Sequence, residues 1–141
     1  MDFTPTGSGI YIGWSGLQAG EEGSDMLDQA RDAVKCARQV VEGAIETAKQ
    51  QQADGHEDQA FLYDLSHAAS AVEMADAALT YGDLGEAEER LAIIYIGKML
   101  ADLGAKIWQS GSRWGSGIEA LAPAQEFVAA ATDSELSLIH I

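Results

Sequence analysis

The chain has 141 residues, of which 47% are hydrophobic and 22% charged, a composition typical of one globular domain rather than of a disordered segment. Its 23 acidic residues against 8 basic ones give a formal net charge of -15. Nucleic acids and anionic membranes are bound mainly through Lys and Arg, so this charge disfavours both as partners. The sequence therefore predicts an acidic domain with no nucleic-acid partner and no membrane partner.

The sequence carries no signal for export or for membrane insertion. The first residues, MDFT, lack the basic segment of a signal peptide, and the longest strongly apolar run, residues 91–96, is too short to span a bilayer. The single cysteine, Cys36, has no intrachain disulfide partner, which agrees with a reducing compartment. We therefore expect a cytoplasmic protein.

Residues 1–23 form a Gly-rich leader that is predicted to be irregular, because glycine makes a sustained helix costly. Within it, residues 13–16 (GWSG) approach the Gly-x-Ser-x-Gly of a nucleophile elbow, but the second glycine comes one residue early. The leader glycines also lack the spacing of a dinucleotide-binding loop. The leader therefore contributes no catalytic or cofactor-binding residue.

Three helices with apolar stripes are predicted after the leader. The first begins with Ser24 as its N-cap and ends near Lys49; an Asp54/Glu57 capping pair opens the second, which stops at Gly82. Their stripes follow the 3- and 4-residue spacing of packed helices. The stripe of the first helix comprises Leu27, Ala30, Val34, Ala37, Val41, Ala44 and Ala48. The stripe of the second comprises Phe61, Leu65, Ala68, Val72, Ala75 and Leu79.

The third helix is predicted to be the central one. It starts from an Asp83/Glu86 capping pair, ends near Trp108, and has the stripe Ile93, Ile96, Leu100, Leu103 and Ile107. It also carries apolar residues off that stripe, so it needs cover on more than one side. These further residues are Leu91, Ile94, Tyr95 and Met99.

A Gly/Ser-rich segment, residues 110–117, ends the third helix, and Pro123 is placed as the first residue of a short fourth helix. Phe127, Val128 and Ala131 are expected to face inward from it. The predicted fold is all-α: an antiparallel bundle of three long helices plus a short fourth, over residues 24–135. Since the first two stripes are rich in small alanines, we expect marginal stability and a missing partner surface.

No residue of the chain is assigned a catalytic, cofactor-binding or metal-binding role. Asp64 and His67 share a helical face, but a di-iron bundle needs that motif twice, and His56-Glu57 lacks the second histidine of a zinc protease. Lys35 and Arg38 could lower the pKa of the Cys36 thiol, yet an inert cysteine is the preferred interpretation. The acidic residues Glu86, Glu88 and Glu89 suit the first turn of a helix better than paired catalytic acids.

The last six residues, 136–141 (LSLIHI), equal the translation of a transposon-end adaptor used to prepare sequencing libraries. We interpret them as read-through of that adaptor. We therefore expect a gene fragment, truncated at its C-terminal side, whose natural sequence is represented up to Glu135.

Several segments of the helical region resemble the N-terminal helical extension of long-form acyl-CoA dehydrogenases of the methylsuccinyl-CoA dehydrogenase type. They are residues 63–73 (YDLSHAASAVE), 81–82, 85–92 (GEAEERLA), 101–107 (ADLGAKI), 114–115 and 126–128. The resemblance implies that the parent protein binds FAD, removes hydrogens from Cα and Cβ of an acyl-CoA thioester, and passes electrons to an electron-transfer flavoprotein. It places the flavin site and the catalytic glutamate in the core that comes after the extension, so this fragment would bind no cofactor.

Two functions are expected. On the resemblance, the chain is a non-catalytic helical domain that packs on the acyl-CoA dehydrogenase core of the same chain or forms part of a homo-oligomer interface. The alternative is a stand-alone acidic helical protein for interaction or oligomerisation.

Overall fold

The computed structural model describes the backbone of residues 16–56 and 58–139 and the side chains of residues 25–56 and 58–133. The elements are α1 (Gly16–Ala53), α2 (Gln59–Gly82), α3 (Glu86–Ser110), a first 3-10 helix (Gly111–Trp114), a second 3-10 helix (Ile118–Ala124) and α4 (Gln125–Ile139). No strand occurs in this part of the chain, and the predicted all-α bundle of three longer helices and a shorter fourth is confirmed.

Neighbouring helices run antiparallel, and α3 is the central helix. Gly82, the last residue of α2, lies beside Leu27 near one end of the bundle and beside Ala92 in the first half of α3. Gly97 of α3 lies against Ala131 of α4. Since α3 packs on α1, α2 and α4, its predicted central position is confirmed.

The predicted stripes form the core. In α3 all five stripe residues are buried, and Ile96 has no exposed surface. The stripes of α1 and α2 are buried up to their last members, Ala48 and Leu79, which are half-buried at the ends of the bundle. Apolar spacing therefore identified the packed side of each long helix correctly.

Trp114 is a core residue that the sequence did not identify. It lies in the first 3-10 helix, inside the segment predicted as a Gly/Ser-rich connection, yet its side chain is completely buried. Its ring meets Phe61 edge-on, with the ring centroids 5.3 Å apart. The indole N–H, on atom Nε1, has no hydrogen-bond partner in the described structure. Burial of this large ring compensates for the small alanines of α1 and α2.

The predicted N-terminal ends of α1 and α2 are wrong. Helix α1 begins at Gly16, so Ser24 lies inside it, because extending an existing helix costs far less than nucleating one. Residues 1–15 of the leader lie outside the described part of the chain. The N-cap of α2 is Asp58, whose carboxylate accepts a hydrogen bond of 3.1 Å from the Phe61 N–H. Asp54 instead continues the end of α1 through its N–H to the Gln50 carbonyl, and Glu57 is outside the described residues.

The predicted starts of α3 and α4 also differ from the structure. Asp83 ends α2 by donating its backbone N–H to Thr80 and Tyr81, and Gly85, without a side-chain hydrogen bond, is the N-cap of α3. Pro123 lies inside the second 3-10 helix, and α4 begins two residues later, at Gln125. Of the inward residues expected in α4, Phe127 and Ala131 are buried and Val128 is half-buried.

Ion pairs on the surface join the helices but contribute little to stability. Arg38 of α1 binds Glu73 at 2.7 Å and also Asp76, both on α2, and Arg31 reaches Asp83 at 3.2 Å. All of these side chains are substantially exposed, so water and salt screen each pair. Among the described helices, none combines the length and the apolar character needed to cross a lipid bilayer.

The contact between α3 and α4 depends on the absence of a side chain at Gly97. A Cβ added there would lie 2.5 Å from the Cβ of Ala131, whereas a Cβ at Gly43, on the exposed side of α1, would meet nothing within 4 Å. We expect Gly97→Ala to lower the free energy of unfolding by about 1–3 kcal/mol because the helices must separate. Gly43→Ala should raise it by about 0.5–1 kcal/mol by favouring the helix. Urea unfolding followed by circular dichroism measures both, and equal stabilisation by the two variants would contradict the close packing.

Candidate functional site

Two apolar surfaces remain open on either side of α3, and they are the strongest candidates for a functional site. Helix α2 covers one flank of α3 and α4 covers the other, but neither covers its flank completely. The large apolar residues left exposed among the described side chains are Tyr63, Met74, Tyr81, Leu84, Leu91, Trp108 and Ile118. Exposed aromatic and methionine side chains grouped beside a groove are typical of surfaces that bind other proteins.

The first surface follows the groove between α2 and α3 on the side away from α1, and we call it the outer face. Its groove has a volume of about 400 Å³. Ala68 and Ala71 of α2 and Met99 and Leu103 of α3 form its apolar part. The polar side chains of the groove belong to His67, Tyr95, Lys98, Asp102 and Lys106.

Exposed apolar side chains of α2 and α3 border this groove. Tyr63 packs on His67 with ring centroids 4.4 Å apart, and Met74, which is 62% exposed, lies one helical turn from Ala71. Tyr81 comes about two turns after Met74 on the same side of α2, and Leu91 precedes Tyr95 by about one turn on α3. The outer face therefore consists of Tyr63, Met74, Tyr81 and Leu91 around the α2–α3 groove.

The second surface, which we call the Trp108 groove, lies between α3, the second 3-10 helix and α4. Its volume is also about 400 Å³, and its lining is mostly apolar. Gly104 forms part of the floor, where a Cβ would lie 3.4 Å from the Ile118 side chain. Trp108, one turn beyond Gly104, is 78% exposed, more than any other large apolar residue among the described side chains.

Apolar periodicity in the sequence indicates these surfaces only in part. Helix α3 carries apolar residues off its stripe, and of these Met99 is buried, Ile94 and Tyr95 are half-buried and Leu91 is exposed. Tyr63, Met74 and Tyr81 form a second, exposed stripe on α2 that the sequence analysis did not predict. Met74 follows Tyr63 by about three turns and Tyr81 follows Met74 by about two, with mainly small or polar residues between them. A search of the exposed side of α2 for a second stripe would have found them.

Cys36 lies in a half-buried position beneath the second 3-10 helix. Its Sγ donates a hydrogen bond of 3.1 Å to the carbonyl oxygen of Ala120. Burial raises the pKa of the thiol, whereas a reactive cysteine needs a lowered pKa. This environment supports the interpretation of Cys36 as an inert, packed residue.

The acidic and histidine motifs of the sequence take part in local contacts. The ring of His67 meets that of Tyr63 edge-on. Glu86, Glu88 and Glu89 all lie in the first turn of α3, where carboxylates face the positive end of the helix. Partial burial and the nearby charges of Glu86 and Asp83 raise the pKa of Glu89. Within the described residues, no three His, Cys, Asp or Glu side chains converge as they would around a metal ion.

Comparisons with known proteins add no relative. No protein-family model matches the chain, and no curated protein and no solved structure matches it. The acyl-CoA dehydrogenase resemblance therefore rests on its sequence segments between residues 63 and 128 and stays a prediction.

The environment of Cys36 predicts slow chemical modification. Burial raises the pKa of the Cys36 thiol, and the thiol donates its hydrogen to the Ala120 carbonyl. Iodoacetamide at pH 8 should therefore alkylate Cys36 at least about tenfold more slowly in the folded protein than in guanidinium. Mass spectrometry after timed quenching measures both rates, with free glutathione in each solution as the internal control. Equal rates in the folded and unfolded protein would show that the thiol is accessible.

Proposed function

We propose that this chain is a non-catalytic helical domain whose role is to pack against another protein surface. The observation that carries the proposal is the incomplete cover of α3, which leaves apolar surface open on both of its flanks. Among the residues with catalytic potential, Cys36 donates a hydrogen bond to the Ala120 carbonyl and His67 packs against Tyr63. A partner that covers the exposed apolar side chains would stabilise the complex by removing apolar area from water.

Trp108 is the residue best suited to anchor such a partner. Tryptophan dominates binding energy at protein interfaces because one side chain removes a large apolar area from water. Here the ring is 78% exposed, and Trp108 lies one helical turn beyond Gly104, which lines an apolar groove together with Leu121. A partner that covers the Trp108 groove would bury the indole together with the groove lining.

The resemblance suggests the identity of the partner. We propose that it is the core of an FAD-dependent acyl-CoA dehydrogenase encoded in the same reading frame, which would carry out α,β-dehydrogenation of an acyl-CoA thioester and reduce an electron-transfer flavoprotein. Helix α4, which a downstream core would follow in the chain, contributes Gln125 and Val128 to the Trp108 groove. In this proposal the domain supplies packing surface, and the flavin and the catalytic base belong to the core.

The same exposed surfaces also support the alternative, a stand-alone acidic protein that acts by interaction or oligomerisation. The two proposals predict different gene sequences downstream of the codon for Glu135. An open reading frame that continues into a flavoprotein core supports the dehydrogenase proposal, and a stop codon soon after Glu135 supports the alternative.

The proposal predicts where the flavin resides. Residues 24–135 expressed alone should show no flavin absorbance near 450 nm after addition of FAD and no acyl-CoA oxidation, because the proposed flavin site lies in the core. The protein translated from the complete reading frame should carry FAD and reduce an artificial electron acceptor with an acyl-CoA. Bound FAD or turnover in residues 24–135 would contradict a purely packing role.

Trp108 should be required for docking on the core. In the complete protein, Trp108→Ala is expected to lower the melting temperature and to speed proteolysis between domain and core, since a truncated anchor at an interface costs about 2 kcal/mol or more. Leu84→Ala, which truncates an apolar side chain exposed in the turn between α2 and α3 and outside both surfaces, is the matched control and should have a much smaller effect. Differential scanning fluorimetry and limited trypsin digestion measure the two properties, and identical behaviour of the variants would refute docking through this groove.

A further inference from the structure

The outer face has a symmetry that the Trp108 groove lacks. On α2, Tyr63 and Tyr81 are separated by about five helical turns and therefore point to the same side of the helix. On α3, Glu88 and Lys106 have the same separation and likewise share a side. Lys106 lines the α2–α3 groove, so Glu88 lies on the same side of α3, toward the other end of the groove.

The two pairs are centred at nearly the same height in the bundle. The midpoint of the tyrosines is Val72, and the midpoint of Glu88 and Lys106 is Gly97. Ala71 and Met99 line the same groove, so these midpoints lie within about one helical turn of each other. One axis perpendicular to both helices can therefore pass through both midpoints.

We propose that a second copy of this chain binds on the outer face. The two copies would be related by a two-fold axis that runs across this face, at right angles to the lengths of α2 and α3. This axis would place each helix antiparallel to its own copy. Glu88 would then face Lys106 of the second copy, and Tyr63 would face Tyr81 of the second copy. The inference rests on the proposed packing function and identifies the partner of the outer face.

Charge and composition both fit this partner. A two-fold interface is self-complementary, so it needs opposite charges at equal distances from its axis, and Glu88 and Lys106 meet that condition. Neither forms an ion pair within the described part of the chain. Near the axis lies Met74, an exposed and adaptable apolar side chain, and the ends carry tyrosines, a residue enriched at interfaces.

The net charge also favours this register over others. Since each copy carries a formal charge of -15, two copies repel one another except where cations meet carboxylates. Lys106 places one of the 8 basic residues at this groove, near the C-terminal end of α3. An antiparallel register sets this end of α3 against the acidic first turn of the second copy, whereas a parallel register sets like charges together.

The test is a charge exchange read out by sedimentation equilibrium of the full chain. Glu88→Lys and Lys106→Glu should each weaken the dimer by about tenfold or more, and the double variant should restore it, because the exchange only reverses the pair. Within one copy the two residues are about 27 Å apart along α3, so restoration would report a contact between copies. Met74→Glu should abolish the dimer, whereas Trp108→Glu, an equal change outside the outer face, should leave it intact.

Circular dichroism of every variant checks that the helices are retained; both Met74 and Trp108 are exposed, so neither substitution alters the core. A wild-type chain that sediments as a monomer at about 100 µM, or a dimer that survives Met74→Glu, would overturn the inference. A double variant that stays as weak as the single ones would overturn the antiparallel register. Failure of the dimer leaves the proposed function separately testable, because docking on a core is measured through Trp108 and not through the outer face.

Discussion

Helix α3 holds the bundle together, because the other three helices all bury apolar surface against it. Its five stripe residues are buried, and Ile96 is sealed completely from water. At Gly97 the helix has no side chain, which lets α4 approach until Ala131 occupies that space. A helix surrounded in this way needs apolar residues over most of its circumference. Where α2 and α4 do not cover them, apolar residues of α3 such as Leu91 and Trp108 stay exposed.

The open flanks of α3 connect the packing of the bundle to its proposed role. Helices α1 and α2 contribute mostly alanine and valine to the core, so they approach closely but bury a modest area. Trp114 adds the largest buried side chain, from outside the long helices. A partner that covers the outer face or the Trp108 groove would therefore add buried apolar area to a bundle that buries only a modest area by itself.

The local motifs predicted the elements better than their ends. Asp54 and Asp58 are both suitable N-caps, and only the path of the turn, with Gly55 at a positive φ of 85°, brings Asp58 rather than Asp54 to the Phe61 N–H. Similarly, Pro123 fits the first turn of a helix by its fixed φ, yet the chain there adopts a 3-10 helix that packs on α1 above Cys36. Which candidate residue becomes the N-cap therefore depends on the path of the chain between one helix and the next.

The sequence by itself determined the helical class, the buried side of each long helix and the central place of α3, because apolar periodicity of 3 and 4 residues reports directly which side of a helix avoids water. Only the tertiary structure decided which apolar residues stay exposed. Leu91 and Met99 look alike in the sequence, but α2 covers Met99 and leaves Leu91 open, and Trp108 is exposed while Trp114 is buried. These outcomes depend on where neighbouring helices end and how they cross, and that geometry is a property of the packed chain rather than of any local segment.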